Sequence, residues 1–182
     1  MRKYVSISGT MGIGKTTLVR FIADNFGLTP VLENFKQNPF LSDFYKDMKR
    51  WAFHSQTFFL LEKSGQLHDL TKLLKKSTVV QDTPVVEDVY GYAYTLHKLK
   101  HISPHEWDLY HRIYKRLEKQ SQQPAFIIHL TASVETIFNR INQRDRSFET
   151  GTKKREMMEY LSCLHDSNDL WVKRVGRKIP IS

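Results

Sequence analysis

The chain of 182 residues contains a single cysteine, Cys163, so no disulfide can form within it and the composition points to a reducing, cytoplasmic setting. Long apolar runs are absent as well, and nothing reads as a membrane span or a secretory signal. Acidic residues are in the minority, 19 against 28 Lys and Arg. That excess suits phosphorylated ligands as well as nucleic acid. The basic residues are spread along the whole chain, densest at Lys72, Lys75 and Lys76, at Arg112, Lys115, Arg116 and Lys119, and at Lys153, Lys154 and Arg155. Such scatter reads as solvated helix faces and makes dedicated nucleic-acid binding an unfavoured reading. Internal repeats and low-complexity tracts are missing too, which leaves one domain over 1–182 with 40% hydrophobic and 12% aromatic residues for its core.

Against these absences stands one dense motif. Gly9-Thr10-Met11-Gly12-Ile13-Gly14-Lys15-Thr16 follows the apolar run Tyr4–Ser8 and meets every fixed position of G-x-x-x-x-G-K-[ST]. Glycines at these spacings let the backbone turn with its N–H groups converging on an anion, and the next helix adds its unpaired N-terminal amides and dipole. Gly9, Gly12, Ile13, Gly14, Lys15, Thr16 and Thr17 are therefore the expected phosphate-binding residues. Lys15 would reach the β- and γ-phosphates of ATP, and the Thr16 hydroxyl would ligate Mg2+. The context is right for this, because Leu18, Val19, Ile22 and Phe26 recur at helical spacing after the loop.

Short β-rich runs at Tyr4–Ser8, Pro30–Glu33, Thr78–Asp82 and Ala125–Leu130 alternate with helical patterns, and a fifth strand is expected near Ile179. The chain stops at Pro180-Ile181-Ser182, where that closing strand would begin, which suggests a longer parent protein. Residues 38–74 predict one or two long helices. Ser103-Pro104-His105-Glu106 predicts a capping box with proline at the first helical position, and Ser133 predicts another N-cap. Phe148 to Lys154, with Gly151 among polar residues, is the expected mobile loop. In a parallel sheet the strand ends face the ligand crevice. Glu33 and Asp82 close the second and third strands, so Glu33 suits a general base and Asp82 a Mg2+ ligand.

Beyond these motifs the chain resembles the deoxyribonucleoside kinase family, in particular its bacterial deoxyadenosine/deoxyguanosine kinase branch. The likeness rests on Glu33 with Asn38-Pro39-Phe40-Leu41, on Phe44-Tyr45-Lys46-Asp47, on Arg50-Trp51-Ala52-Phe53 with Gln56, on Glu87-Asp88-Val89, and on Arg140 to Glu149. The resemblance implies a P-loop kinase-like α/β three-layer sandwich with a five-stranded parallel sheet of order 2-3-1-4-5 and helices on both faces. It implies ATP-dependent phosphorylation of a deoxyribonucleoside 5′-hydroxyl, a purine nucleoside in preference, by a homodimer. Glu33 matches the base that takes the hydroxyl proton. Gln56 and Asp88 match the residues that pair with the nucleobase, Tyr45 and Glu149 those that hold the sugar 3′-hydroxyl, and Arg144 and Arg146 the arginines of a lid over about 144–154. Phe40 and Phe53 suit walls for the base, with core packing as the competing reading.

Two departures stand out. The family's Asp-Arg-Ser or Glu-Arg-Ser is Asp82-Thr83-Pro84 here, so the arginine expected beside the 5′-oxygen is missing, and Pro84 biases Thr83 toward an extended backbone. Asn34 replaces a proline that commonly follows the base. The missing arginine leaves open a catalytically impaired paralogue serving as a partner subunit, and the shared loop leaves open a nucleoside monophosphate kinase. Lys63, beyond Gln56, reads as an exposed helix lysine in preference to a pocket residue.

Overall fold

The computed structural model describes residues 3–119, 122–144 and 152–182. The chain starts with strand β1 (Tyr4–Ser8), the glycine loop and helix α1 (Lys15–Phe26), then β2 (Thr29–Val31), a 3-10 turn (Phe35–Gln37), α2 (Leu41–Lys46) and α3 (Met48–Leu73). It continues through β3 (Val79–Asp82), α4 (Val85–Glu87), a π-helical segment (Asp88–Ala93), α5 (Tyr94–Lys98) and α6 (Pro104–Glu118). The last elements are β4 (Phe126–His129), α7 (Val134–Gln143) and α8 (Lys154–Val175).

The strands pair in parallel in the order β2-β3-β1-β4. Among the described residues the expected five-stranded sheet is corrected to four strands. In place of a fifth strand, Ile181 makes an isolated parallel bridge to Ile127, with the His129 N–H donating to the Ser182 carbonyl at 2.8 Å. The order 2-3-1-4 holds, and Ile181 occupies the outer side of β4 where the fifth position would fall. Three backbone hydrogen bonds join Pro180 and Ser182 to Ile127 and His129 around this bridge, so the segment follows the edge of β4 in parallel over a shorter run than a typical strand.

Register fixes the faces. Val5 and Ile7 stand beside Val80 and Asp82, while Tyr4 and Ser6 stand beside Val79 and Gln81. The first set turns toward α1, where Ile7 and Val80 pack with Val19 and Ala23. The second set turns toward α3, where Tyr4 and Val79 pack with Leu67 and Leu70. Helices therefore cover both faces, as period-2 side chains on a doubly buried strand require. The largest apolar cluster lies beside the sheet, gathered from α2, α3, α5, α6, α7 and α8 around Phe44, Leu60, Tyr110, Tyr160 and Leu161.

Helix caps follow the sequence. The Ser103 hydroxyl accepts from the Glu106 N–H, and the Glu106 carboxylate accepts from the Ser103 N–H at 2.7 Å, closing the capping box of α6. Ser133 accepts from the Thr136 N–H at the start of α7. A Ser103→Ala variant is expected to lose about 1 kcal/mol of stability, read as a lower urea midpoint at unchanged slope; an unchanged midpoint contradicts the role given to this cap.

Candidate active site

All strands run in parallel, so their carboxyl ends meet at one edge of the sheet. The glycine loop leaves β1 there, Asp82 ends β3, and Glu33 follows two residues after β2. Backbone geometry explains the glycines. Gly9 has φ +135, and a Cβ on it would lie 2.6 Å from the Leu130 carbonyl oxygen; Gly12 has φ +81, and a Cβ there would meet Ile141 at 2.8 Å. Only a residue without a side chain fits either position.

The loop opens onto a cleft of about 410 Å³, within the usual range for a small-molecule site. Of the residues expected at the site, Gly12, Gly14, Lys15, Thr16, Thr17, Glu33, Tyr45, Gln56, Asp82, Asp88 and Arg144 line this one space. Ile13 is different, since its side chain is buried in the core while its carbonyl accepts from Arg140 Nη1 at 2.9 Å. Gly9 lies behind the cleft wall, its N–H turned to Glu87. Arg146 and Glu149, with most of the expected lid, fall outside the described residues.

Lys15 Nζ donates to the Gly9 carbonyl at 2.6 Å and to the Tyr92 hydroxyl at 3.3 Å, so its ammonium is held at the loop. The Thr16 hydroxyl donates to the Asp82 carboxylate. A hydroxyl and a carboxylate side by side at a phosphate loop are hard oxygen donors, a set that suits Mg2+, which keeps most of its waters.

The sequence reading of Lys63 is corrected. It is 2% exposed, and its ammonium donates to the carbonyls of Asp82 at 3.2 Å and Thr83 at 2.8 Å, with the Asp88 carboxylate 3.8 Å away. Thr83 is also not extended. It takes φ +64, a left-handed conformation costly for a β-branched residue. Its N–H donates to the Ile7 carbonyl, its hydroxyl to Asp82, and its carbonyl accepts from Lys63. These three bonds offset the strain.

Asp88 is fully buried at the cleft. Burial pushes its carboxyl above the ordinary aspartate range, and the Lys63 ammonium pulls it back only in part, with the Glu33 charge acting against Lys63. The 3.8 Å ion pair and the upward shift point in opposite directions; burial is the larger cause. Its Oδ2 accepts no hydrogen bond among the described residues. A buried acceptor of that kind at a cleft wall suits a donor on a ligand.

The aromatic walls are not the two expected from sequence. Phe40 stacks on Trp51 at 5.8 Å, and neither it nor Phe53 lines the cleft; Phe35, Phe44, Phe59 and Tyr92 do. Arg140 is a further lining residue that the sequence reading left without a role. It stands on α7 one helical turn before Arg144, the C-cap of that helix, a spacing that places both on one side.

A parallel sheet with a glycine loop between β1 and α1, and with a lysine and a threonine opening that helix, defines the P-loop class of nucleotide-binding proteins. The deoxynucleoside kinase family model matches residues 5–181, and the chain belongs to that family. It is 33% identical to the deoxyguanosine kinase of Bacillus subtilis over 97% of this chain and 82% of that enzyme. It is 29% identical to the deoxyadenosine/deoxycytidine kinase of the same organism, over 92% of this chain and 76% of that one. Among solved structures, deoxyadenosine kinase from M. mycoides with bound dATP superposes with a TM-score of 0.84, covering 100% of this chain and 89% of its own, at 24% identity. That likeness supports the fold.

Proposed function

We propose that this deoxynucleoside kinase transfers the γ-phosphoryl group of ATP to the 5′-hydroxyl of a purine deoxyribonucleoside, with Glu33 as the base. The observation that carries the reading is that Glu33 and the glycine loop line the same cleft, with Gln56 and Asp88 also on its wall. In the reaction the Glu33 carboxylate accepts the 5′-hydroxyl proton as the oxygen bonds to the γ-phosphorus, and the bond to the β,γ-bridging oxygen breaks to release ADP. Lys15 and the loop amides hold the negative oxygens, and Arg144, with Arg146 from the lid, closes over them. Thr16 and Asp82 would hold Mg2+, which when bound draws charge from the phosphate oxygens. Gln56 and Asp88 pair with the base edge, while Tyr45 and Glu149 take the sugar 3′-hydroxyl.

An impaired paralogue stays the second reading: the family's arginine is absent at Thr83, and the buried Lys63 ammonium, bonded to the carbonyls of Asp82 and Thr83, does not line the cleft. Pairing of two copies belongs to the same reading. Exposed Leu61 on α3 and Leu109 on α6, two helices in contact, offer apolar surface for it. A cytoplasmic setting, the single unit 1–182 and the lack of a nucleic-acid partner are parts of this reading as well; no helix among the described residues is long and apolar enough to cross a membrane.

Relative rates test the substrate. With ATP and Mg2+, deoxyguanosine and deoxyadenosine are expected to be phosphorylated faster than thymidine, and deoxynucleoside monophosphates not at all. Faster turnover of a monophosphate than of its nucleoside would replace this reading with that of a monophosphate kinase.

A further inference from the structure

Glu87 has no part in the chemistry above, yet it is completely buried and directed at the phosphate loop. Both of its carboxyl oxygens lie 3.1 Å from the Gly9 nitrogen and accept from its N–H. The next loop residue is held from a second element, since Asn168 Nδ2 on α8 donates to the Thr10 hydroxyl at 3.1 Å, and Asn168 Oδ1 accepts from Trp171 Nε1 at 2.9 Å. Gly91, in the π-helical segment, lets the two supports meet. A Cβ there would lie 2.5 Å from Asn168 Oδ1 and 3.3 Å from Glu87 Cγ. The wider π-helical turn is a device often found at functional sites.

We propose that Glu87 is a positioning residue for nucleotide binding: from beneath the loop it fixes the Gly9 N–H, with Asn168 fixing Thr10, so that the amides of residues 12–16 stay aimed at the triphosphate. The proposal rests on the reading of that loop as the ATP site. A preformed donor set spares the ordering cost that a loose glycine loop would meet on binding.

The charge state of Glu87 sharpens the idea. Burial pushes its carboxyl up to about 8, opposed first by the Lys15 ammonium and raised further by Asp88 and Asp82. Among the described residues, the titratable groups that act on it or feel its charge are Lys15 from α1, Asp82 from β3, and Asp88 and Tyr92 from its own stretch of chain, while the neutral Asn168 and Trp171 of α8 meet it across Gly91. A triphosphate brings negative charge to the loop and draws Lys15 toward itself, and both effects favour the protonated carboxyl. By reciprocity, ATP affinity is steady below about pH 8 and weakens as pH rises above it.

The test is direct binding of ATP and of a deoxynucleoside to the full chain by calorimetry, at about pH 7 and pH 9. Glu87→Ala is expected to raise the Kd for ATP about tenfold at pH 7 while the nucleoside Kd moves less than about twofold, the size expected for one unmade buried hydrogen bond. Glu87→Gln keeps an acceptor for Gly9 and cannot ionise. It is expected to bind ATP within about threefold of the parent at pH 7 and to lose the weakening at pH 9 that the parent shows. Parent-like ATP binding by Glu87→Ala overturns the proposal, and so does a Glu87→Gln variant whose affinity falls with pH as the parent's does; the second result decides the matter even where the alanine variant does not fold. A parent protein that binds no ATP at all refutes instead the reading of the loop as the nucleotide site.

Discussion

Glu33→Gln is expected to lower kcat by about 10²- to 10⁴-fold, the range for losing a positioned general base, while the Kd values for ATP and nucleoside stay close to those of the parent. Glutamine keeps the size and one oxygen of the side chain, so the substrate hydroxyl still finds a partner. What it lacks is the ability to take the proton as the oxygen attacks phosphorus. Glu33 lines the cleft together with Lys15, Thr16 and Asp82, close enough for its charge to act on Asp88 and on Tyr92. Steady-state kinetics with saturating ATP separate the outcomes. A loss confined to kcat fits the role; a rise in KM with kcat intact assigns Glu33 to binding alone.

The second large effect is on stability. Lys63→Met removes the donor to two buried carbonyls, at 3.2 and 2.8 Å, and with it the ammonium 3.8 Å from the Asp88 carboxylate. Breaking a buried pair from one side costs about 3–5 kcal/mol, because the partner charge and the two carbonyls lose their compensation. The cost has a pH signature. Asp88 is raised by burial, and without the ammonium it rises further, so the folded state must hold a proton that the unfolded state releases above the ordinary aspartate range. Stability of the variant therefore falls more steeply than the parent's as pH rises through the neutral range. Adding Asp88→Asn should recover part of the loss and flatten the pH dependence. Denaturant titrations at several pH values check this; a Lys63→Met variant as stable as the parent removes Lys63 from the buried network.

How much of this could be read from sequence depends on how local each feature is. The phosphate loop and α1 are decided within about twenty residues, and Lys15–Phe26 is the helix the spacing of Leu18, Val19, Ile22 and Phe26 gives. The caps at Ser103 and Ser133 are local too, and both formed. Lysine's preference for solvent makes Lys63 read as exposed, although it lies in phase with Ala52, Gln56, Leu60, Leu67 and Leu70 on the buried face of α3. Phase outranked residue type there, since that helix turns a partly polar stripe to the cleft and the end of β3. Thr83 shows the opposite limit. Pro84 disfavours only the right-handed helical region for its neighbour, and tertiary bonds to Ile7 and Lys63 selected the left-handed one. Glu87 sits between Val86 and Asp88, and nothing in its neighbours reveals that its partner is a glycine amide 78 positions away.

The most direct measurement is a crystal structure of the chain with ADP and a purine deoxynucleoside bound together. The account predicts the diphosphate within the amides of the glycine loop, and the 5′-oxygen about 2.6–3.2 Å from a Glu33 carboxylate oxygen, facing the place of the missing γ-phosphoryl group. A nucleoside seated with its 5′-oxygen turned away from Glu33, or a nucleotide bound elsewhere than at the loop, contradicts it.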